Sequence, residues 1–175
     1  MKTAQTYLES VIHQFNSYKS VGERTFNQLT DEQLFWQYNE ESNSVAMIVR
    51  HISGNMVSRF TDFLTSDGEK EWRNRDAEFK ASITTRDELI AQWNKGWQCV
   101  FDAVATLTED NLNKIVKIRA EEHTVAEALN RQLAHYPYHI GQIVYIGKML
   151  TDDQWKPLTI PRGKSGAFND KMFGR

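Results

Sequence analysis

Apolar residues recur every third or fourth position in four stretches of the chain, the period of a helix that buries one face. The first stretch covers about residues 3–28, with Leu8, Val11, Ile12, Phe15, Tyr18 and Phe26 along its stripe. The second covers about 44–64 through Val45, Ile48, Ile52, Met56, Phe60 and Phe63. Leu89, Ile90, Trp93, Trp97, Val100 and Val104 mark the third, over about 86–106. The fourth, about 125–149, carries Leu129, Leu133, Tyr136, Ile140, Ile143 and Met149. Only three prolines interrupt the 175 residues, so these stretches run without obvious breaks.

Start signals agree with the periodicity. Ser44 and Thr124 are good N-cap types directly before Val45 and Val125. Thr30 with Gln33 three residues later predicts a capping box on a short helix over about 31–38. Leu29-Thr-Asp-Glu-Gln-Leu34 is echoed by Leu107-Thr-Glu-Asp-Asn-Leu112, each followed by Ser/Thr-Val-Ala and then a histidine, at 51 or 135. That echo suggests two helical pairs related by pseudo-symmetry. The expected fold is all-α: a four-helix bundle with an extra short helix, forming one domain over residues 1–175.

Three segments lie outside this plan. Lys114 to Arg119 alternates Ile115, Lys117 and Arg119 with Val116 and Ile118, as a strand would, but no partner strand is evident. Residues 65–84 form a long polar connection with Trp72 and Phe79, and connections of that length are usually functional or contain small elements of their own. The tail from Lys156 reads as irregular. Its Leu158, Ile160, Phe168, Met172 and Phe173 suggest packing on the body or on a second copy, and hence a homodimer.

Composition narrows the function. Twenty-one basic residues against 23 acidic ones give a net charge of -2, which argues against nucleic-acid binding. No apolar run approaches the roughly 20 residues that span a bilayer, and the start lacks the apolar core of a secretory signal. One cysteine, Cys99, cannot form an internal disulfide, which suits a reducing cytoplasm. Its neighbours Trp97, Val100 and Phe101 make it a packing residue rather than a nucleophile.

The candidate chemistry lies in the histidines. His135 and His139 are four residues apart on the fourth helix, one turn above each other on one face. Two ligands hold a divalent ion poorly, and His51, within the apolar run Ala46 to Ile52, can supply the third from another helix. His13 and His123 read as solvent-facing or capping residues. Pro137 sits between the paired histidines, where a helix-interior proline costs about 3 kcal/mol. It implies a kink or irregular turn, either serving a site or needed only for packing.

Asn55 and Gln132 are within a turn of the histidines and can support them or face solvent. Arg73 and Arg75, with Arg162 and Lys164, can orient an anionic substrate or form a solvated surface. Gly163-Lys164-Ser165 resembles the end of a P-loop, but Leu158 stands where its first glycine should be, so nucleotide binding is rejected.

His51 in the second helix and His135-Tyr-Pro-Tyr-His139 in the fourth resemble the DinB/YfiT-like superfamily of metal-dependent proteins. Asp67 to Asp76 and Ile160 to Asn169 resemble recurring stretches of an uncharacterised bacterial subgroup. The resemblance implies a four-helix bundle with His51, His135 and His139 on one divalent metal, nickel or zinc first, iron or manganese next. It also implies a small-molecule substrate, with hydrolysis or transfer of a small thiol such as bacillithiol as the reaction. The alternative is a non-catalytic, metal-binding stress-related protein or a homodimeric interaction module. No residue is assigned as general base.

Overall fold

The computed structural model describes residues 2–80 and 83–175, with side chains from residue 6 onward. The chain is mainly helical. In order it forms α1 (Lys2–Phe26), α2 (Asp31–Phe35), α3 (Val45–Phe60), α4 (Arg75–Glu78), α5 (Arg86–Ala105), β1 (Ile115–Ile118), β2 (Glu121–Thr124), α6 (Val125–Thr151) and α7 (Ser165–Phe173). The four long helices touch pairwise: α3 on α5, α1 on α6, α3 on α6 and α1 on α5.

The caps are those the local sequence favours. Thr30 and Gln33 form the expected reciprocal capping box, although α2 ends at Phe35, earlier than 38. Ser44 accepts from the Met47 amide, and Thr124 shares a second box with Glu127. The sequence echo is structural as well: Thr108 and Asn111 cap a single 3-10 turn as Thr30 and Gln33 cap α2. Each cap satisfies amide groups that the first helical turn leaves unpaired.

The core follows the four stripes. Phe15, Phe26, Ile52, Met56, Trp93, Trp97, Leu129, Tyr136, Ile140 and Ile143 are all fully buried. Edge-on contacts join Phe26 to Trp93 and Trp97 to Tyr136, with ring centroids 5.0 and 5.8 Å apart. Gly96 lets α5 lie against α3, because a Cβ there would come within 2.9 Å of Ser53 Cα. Met149 departs from the expected stripe and is 48% exposed near the end of α6. Proline at 137 does not break that helix, which runs from Val125 to Thr151. Its nitrogen simply has no hydrogen to give to the Leu133 carbonyl.

Two details depart from expectation within a fold that is, as expected, mainly helical. The strand Ile115–Ile118 is not without a partner, because Glu121–Thr124 pairs with it antiparallel, with Val116 opposite His123. Arg119 and Ala120 join them with φ of 58° and 63°, the double left-handed pattern of a two-residue hairpin turn. The C-terminal tail is not irregular either, since Ser165–Phe173 is helical and ends at Gly174 in the left-handed region. It does not pack on the body: Phe168, Met172 and Phe173 are all exposed. The tail is anchored upstream, where the Lys156 amide donates to Gln28 Oε1 at 2.7 Å and Gln28 Nε2 donates to the Lys156 carbonyl.

The long connection between α3 and α5 is a strap along α3, touching it from Arg59 back to Arg50. Its first part is bound to the hairpin: the Gly68 amide donates to the Lys117 carbonyl at 2.8 Å. Asp67 accepts the amides of Arg119 and Ala120 at 2.8 and 2.7 Å, which holds the strained turn. Its second part contains the single turn α4, capped by Asn74, which delivers Glu78 to the side of α3. Among the described residues no helix is long and apolar enough to cross a membrane.

Candidate metal centre

His51, His135 and His139 converge. Helix geometry stacks His135 and His139 one turn apart on α6, and α3 crosses beside them with His51 on the facing side. Each ring offers a nitrogen, and these three nitrogens lie within 4.8 Å of one another. Nε2 of His135 and Nε2 of His139 are 3.1 Å apart. Two nitrogens each about 2.0–2.1 Å from one ion sit roughly 3–4 Å apart, so the pair needs little movement to share a cation. His51 is 4% exposed and closes the inner side of the group.

Partners on the far side of two rings set which nitrogen points inward. Nδ1 of His51 lies 3.0 Å from Glu78 Oε2, and a carboxylate there takes the Nδ1 hydrogen. Nδ1 of His139 lies 3.1 Å from Gln142 Oε1 and donates to it in the same way. With Nδ1 carrying the hydrogen, the neutral form of each ring presents an unprotonated Nε2, the form that binds a metal. Phe79 stacks on His51 with centroids 4.7 Å apart and a 27° tilt, which limits rotation of the ring.

Glu78 is itself held. Arg73 Nε and Nη2 donate to its two oxygens at 2.8 and 2.9 Å, a bidentate pair. Burial alone would raise the Glu78 pKa, but the hydrogen bonds from His51 and Arg73 outweigh it and hold the carboxyl below its ordinary value. Gly54 makes room for this contact, because a Cβ there would run into the Glu78 carboxylate. Burial, followed by the neighbouring His139 and His51, lowers the His135 pKa to about 3. Burial lowers that of His139 too. Both rings are thus neutral at ordinary pH, as ligands must be.

His51 and His135 line a cavity of about 540 Å³, together with Asn55, Gln132 and the side chains of Arg59, Arg73, Arg75, Arg119 and Arg131. Asn55 Oδ1 accepts from the Tyr136 hydroxyl at 3.3 Å, so it supports the helix beside His135 rather than a histidine ring. Gln132 is 3% exposed, and its Oε1 has no hydrogen-bond partner within the protein.

Of the four basic residues that the sequence offered either for an anionic substrate or as a solvated surface, Arg73 and Arg75 line the cavity. Arg162 and Lys164 do not: they are exposed in the tail, and Lys164 only precedes α7. His13 is exposed, and His123 lies on β2, 3.5 Å from Glu121. Cys99 Sγ is 3.7 Å from Thr61 Oγ1, and burial raises its pKa, which leaves the thiol protonated.

Glu78, Gln142, Arg59, Arg119 and Arg131 were missed as site residues. Gln142 and Arg131 were legible in principle, three residues after His139 and four before His135 on one helical face. Nothing in the local sequence marks Glu78.

A family model described as a protein of unknown function (DUF1572) matches residues 2–164. No curated protein matches the chain.

Proposed function

The chain belongs to the DUF1572 family, and we propose that it is a metal-dependent enzyme whose divalent ion is held by His51, His135 and His139. We read the four long helices as a four-helix bundle of the DinB/YfiT-like type, with the donor set between α3 and α6. One observation carries the reading. Three imidazoles bring their nitrogens within 4.8 Å, two of them oriented from behind by Glu78 and Gln142. A histidine present only for packing has no need of a carboxylate that is itself clamped by an arginine.

Three protein ligands leave at least one position for an exchangeable group, the pattern of catalytic rather than structural sites. A divalent ion there supplies Lewis-acid chemistry, acidifying water or a thiol and polarising an electrophile. The surrounding residues do the rest. Glu78 keeps the His51 proton on Nδ1, Phe79 limits rotation of that ring, and Gln142 fixes His139. The adjoining cavity admits a small molecule beside His51 and His135. The reaction we favour is hydrolysis or transfer of a small thiol. All-imidazole donors suit nickel or zinc, with iron or manganese next.

The test is a screen of thiol-transfer and hydrolase substrates with zinc or nickel restored. Activity should vanish on chelation and in His139→Ala; activity that survives both contradicts the proposal.

The exposed apolar residues of α7 favour one addition, a homodimer in which the tail meets a second copy. Sedimentation of a chain ending at Gln154 should then give half the mass of the full chain, and an unchanged mass rejects it.

A further inference from the structure

We infer that the cavity beside the three histidines recognises a carboxylate or phosphate group, which Arg75 and Arg131 bind while Gln132 accepts a hydrogen bond from the same ligand. The inference deepens the proposed function, because the bound metal is what the reacting end of such a ligand would meet. The anion contact itself does not depend on the metal.

The charge inventory of the cavity is lopsided. The chain carries more acidic than basic residues, 23 against 21. Yet five arginines line this recess, and no lysine, aspartate or glutamate joins them in the lining. Two carboxylates behind the wall hold part of the set: Glu78 pairs with Arg73, and Glu69 lies 3.0 Å from both Arg59 and Arg119. Arg59 also donates to the Gly68 carbonyl. These three arginines are engaged in holding the strap.

Arg75 and Arg131 are different. Both are exposed, and among the described residues neither has a carboxylate within ion-pair distance. Their placement is directed nonetheless. Arg131 precedes His135 by one helical turn on α6. The Arg75 guanidinium lies 5.7 Å over the Phe79 ring, the same ring that stacks on His51. Guanidinium forks match planar oxyanions in a way that lysine does not, and a positive recess concentrates anions at its mouth.

Gln132 supplies an independent observation. A buried carbonyl oxygen without a protein partner is costly to leave unpaired, and Gln132, whose Oε1 has none, is a residue of the same recess. It calls for a hydroxyl, amine or amide donor on the occupant. The ligand class is therefore a small molecule with an oxyanion group close to a hydrogen-bond donor.

The experiment titrates inorganic phosphate, and separately succinate, into chelator-treated protein and into zinc-loaded protein by calorimetry. At least one of the two anions should bind the chelator-treated protein, and phosphate against succinate tells which oxyanion is preferred. In the double variant Arg75→Ala/Arg131→Ala that binding should weaken about ten-fold or more, with zinc content unchanged. Arg131→Lys should recover part of it. Binding equal in wild type and double variant, or no binding of either anion, overturns the inference. Failure of the unaltered protein to take up zinc while it still binds the anion would instead overturn the metal reading and leave this one standing.

Discussion

Glu78 and His51 meet across 27 residues of chain, with Oε2 3.0 Å from Nδ1 and both side chains almost wholly buried. The strap between α3 and α5 thus does more than connect helices. It carries a carboxylate, already clamped by Arg73, to the back of a candidate metal ligand. Replacing that carboxylate by an amide keeps the shape and removes the charge. Glu78→Gln should therefore weaken zinc binding by roughly 10- to 100-fold with the helical content retained. Competition against a chromophoric chelator measures it; an unchanged affinity would mean that Glu78 does not orient the ring.

Gly54 is the space that contact occupies. Alanine is intrinsically better than glycine inside a helix by about 1 kcal/mol, so an unconstrained Gly54→Ala change would stabilise. Here the new methyl meets a carboxylate held by Arg73 and His51, with Glu78 Cδ only 3.0 Å away. The expected result is a net loss of about 1–3 kcal/mol, together with weaker zinc binding. Thermal melts of the two proteins decide it, and a raised melting temperature would contradict the packing described.

The hairpin turn offers a test of the strap's other anchor. Arg119 and Ala120 both have positive φ, where an L side chain is strained and glycine is not. Ala120→Gly should stabilise by about 0.5–1 kcal/mol. Asp67→Ala removes the acceptor for both turn amides and should cost about 1–3 kcal/mol. Urea unfolding of each variant reads these changes, whose signs must be opposite.

The strap also predicts a pH dependence. Burial would raise Asp67, Glu69 and Glu78, but backbone amides at Asp67, arginines at Glu69, and His51 with Arg73 at Glu78 outweigh it, so all three carboxyls are lowered. A carboxyl lowered in the folded state stabilises the fold above its unfolded pKa, and that contribution is lost as pH falls through the folded value. The gap in stability between wild type and Glu78→Gln should be level near neutrality. It should narrow below the ordinary glutamate value of 4.5. Urea midpoints from neutral pH downward measure it, and a gap that stays constant to about pH 3 would contradict the ion-pair assignment.

How far these features can be read from the chain depends on distance along it. His135 and His139 are legible because helix geometry alone makes residues four apart neighbours. His51 is legible only as a histidine out of place in an apolar run, and its convergence is a tertiary event. Thr30 and Gln33 announce their capping box because all its partners lie within one turn. The strand Ile115–Ile118 shows its alternation, but its partner Glu121–Thr124 is too polar to show any. Glu78 lies in a stretch with no period, and what makes it matter is 27 residues away. The helix Ser165–Phe173 was hidden by the proline and glycines around it, although Phe168 and Met172 have helical spacing.

The central claim is that three imidazoles share one cation, and elemental analysis of the purified chain tests it most directly. Protein reconstituted with zinc or nickel and then dialysed should retain about one ion per chain, and His51→Ala, His135→Ala and His139→Ala should each lose most of it. Full occupancy in His135→Ala, or no retained metal in the unaltered protein, would contradict the site.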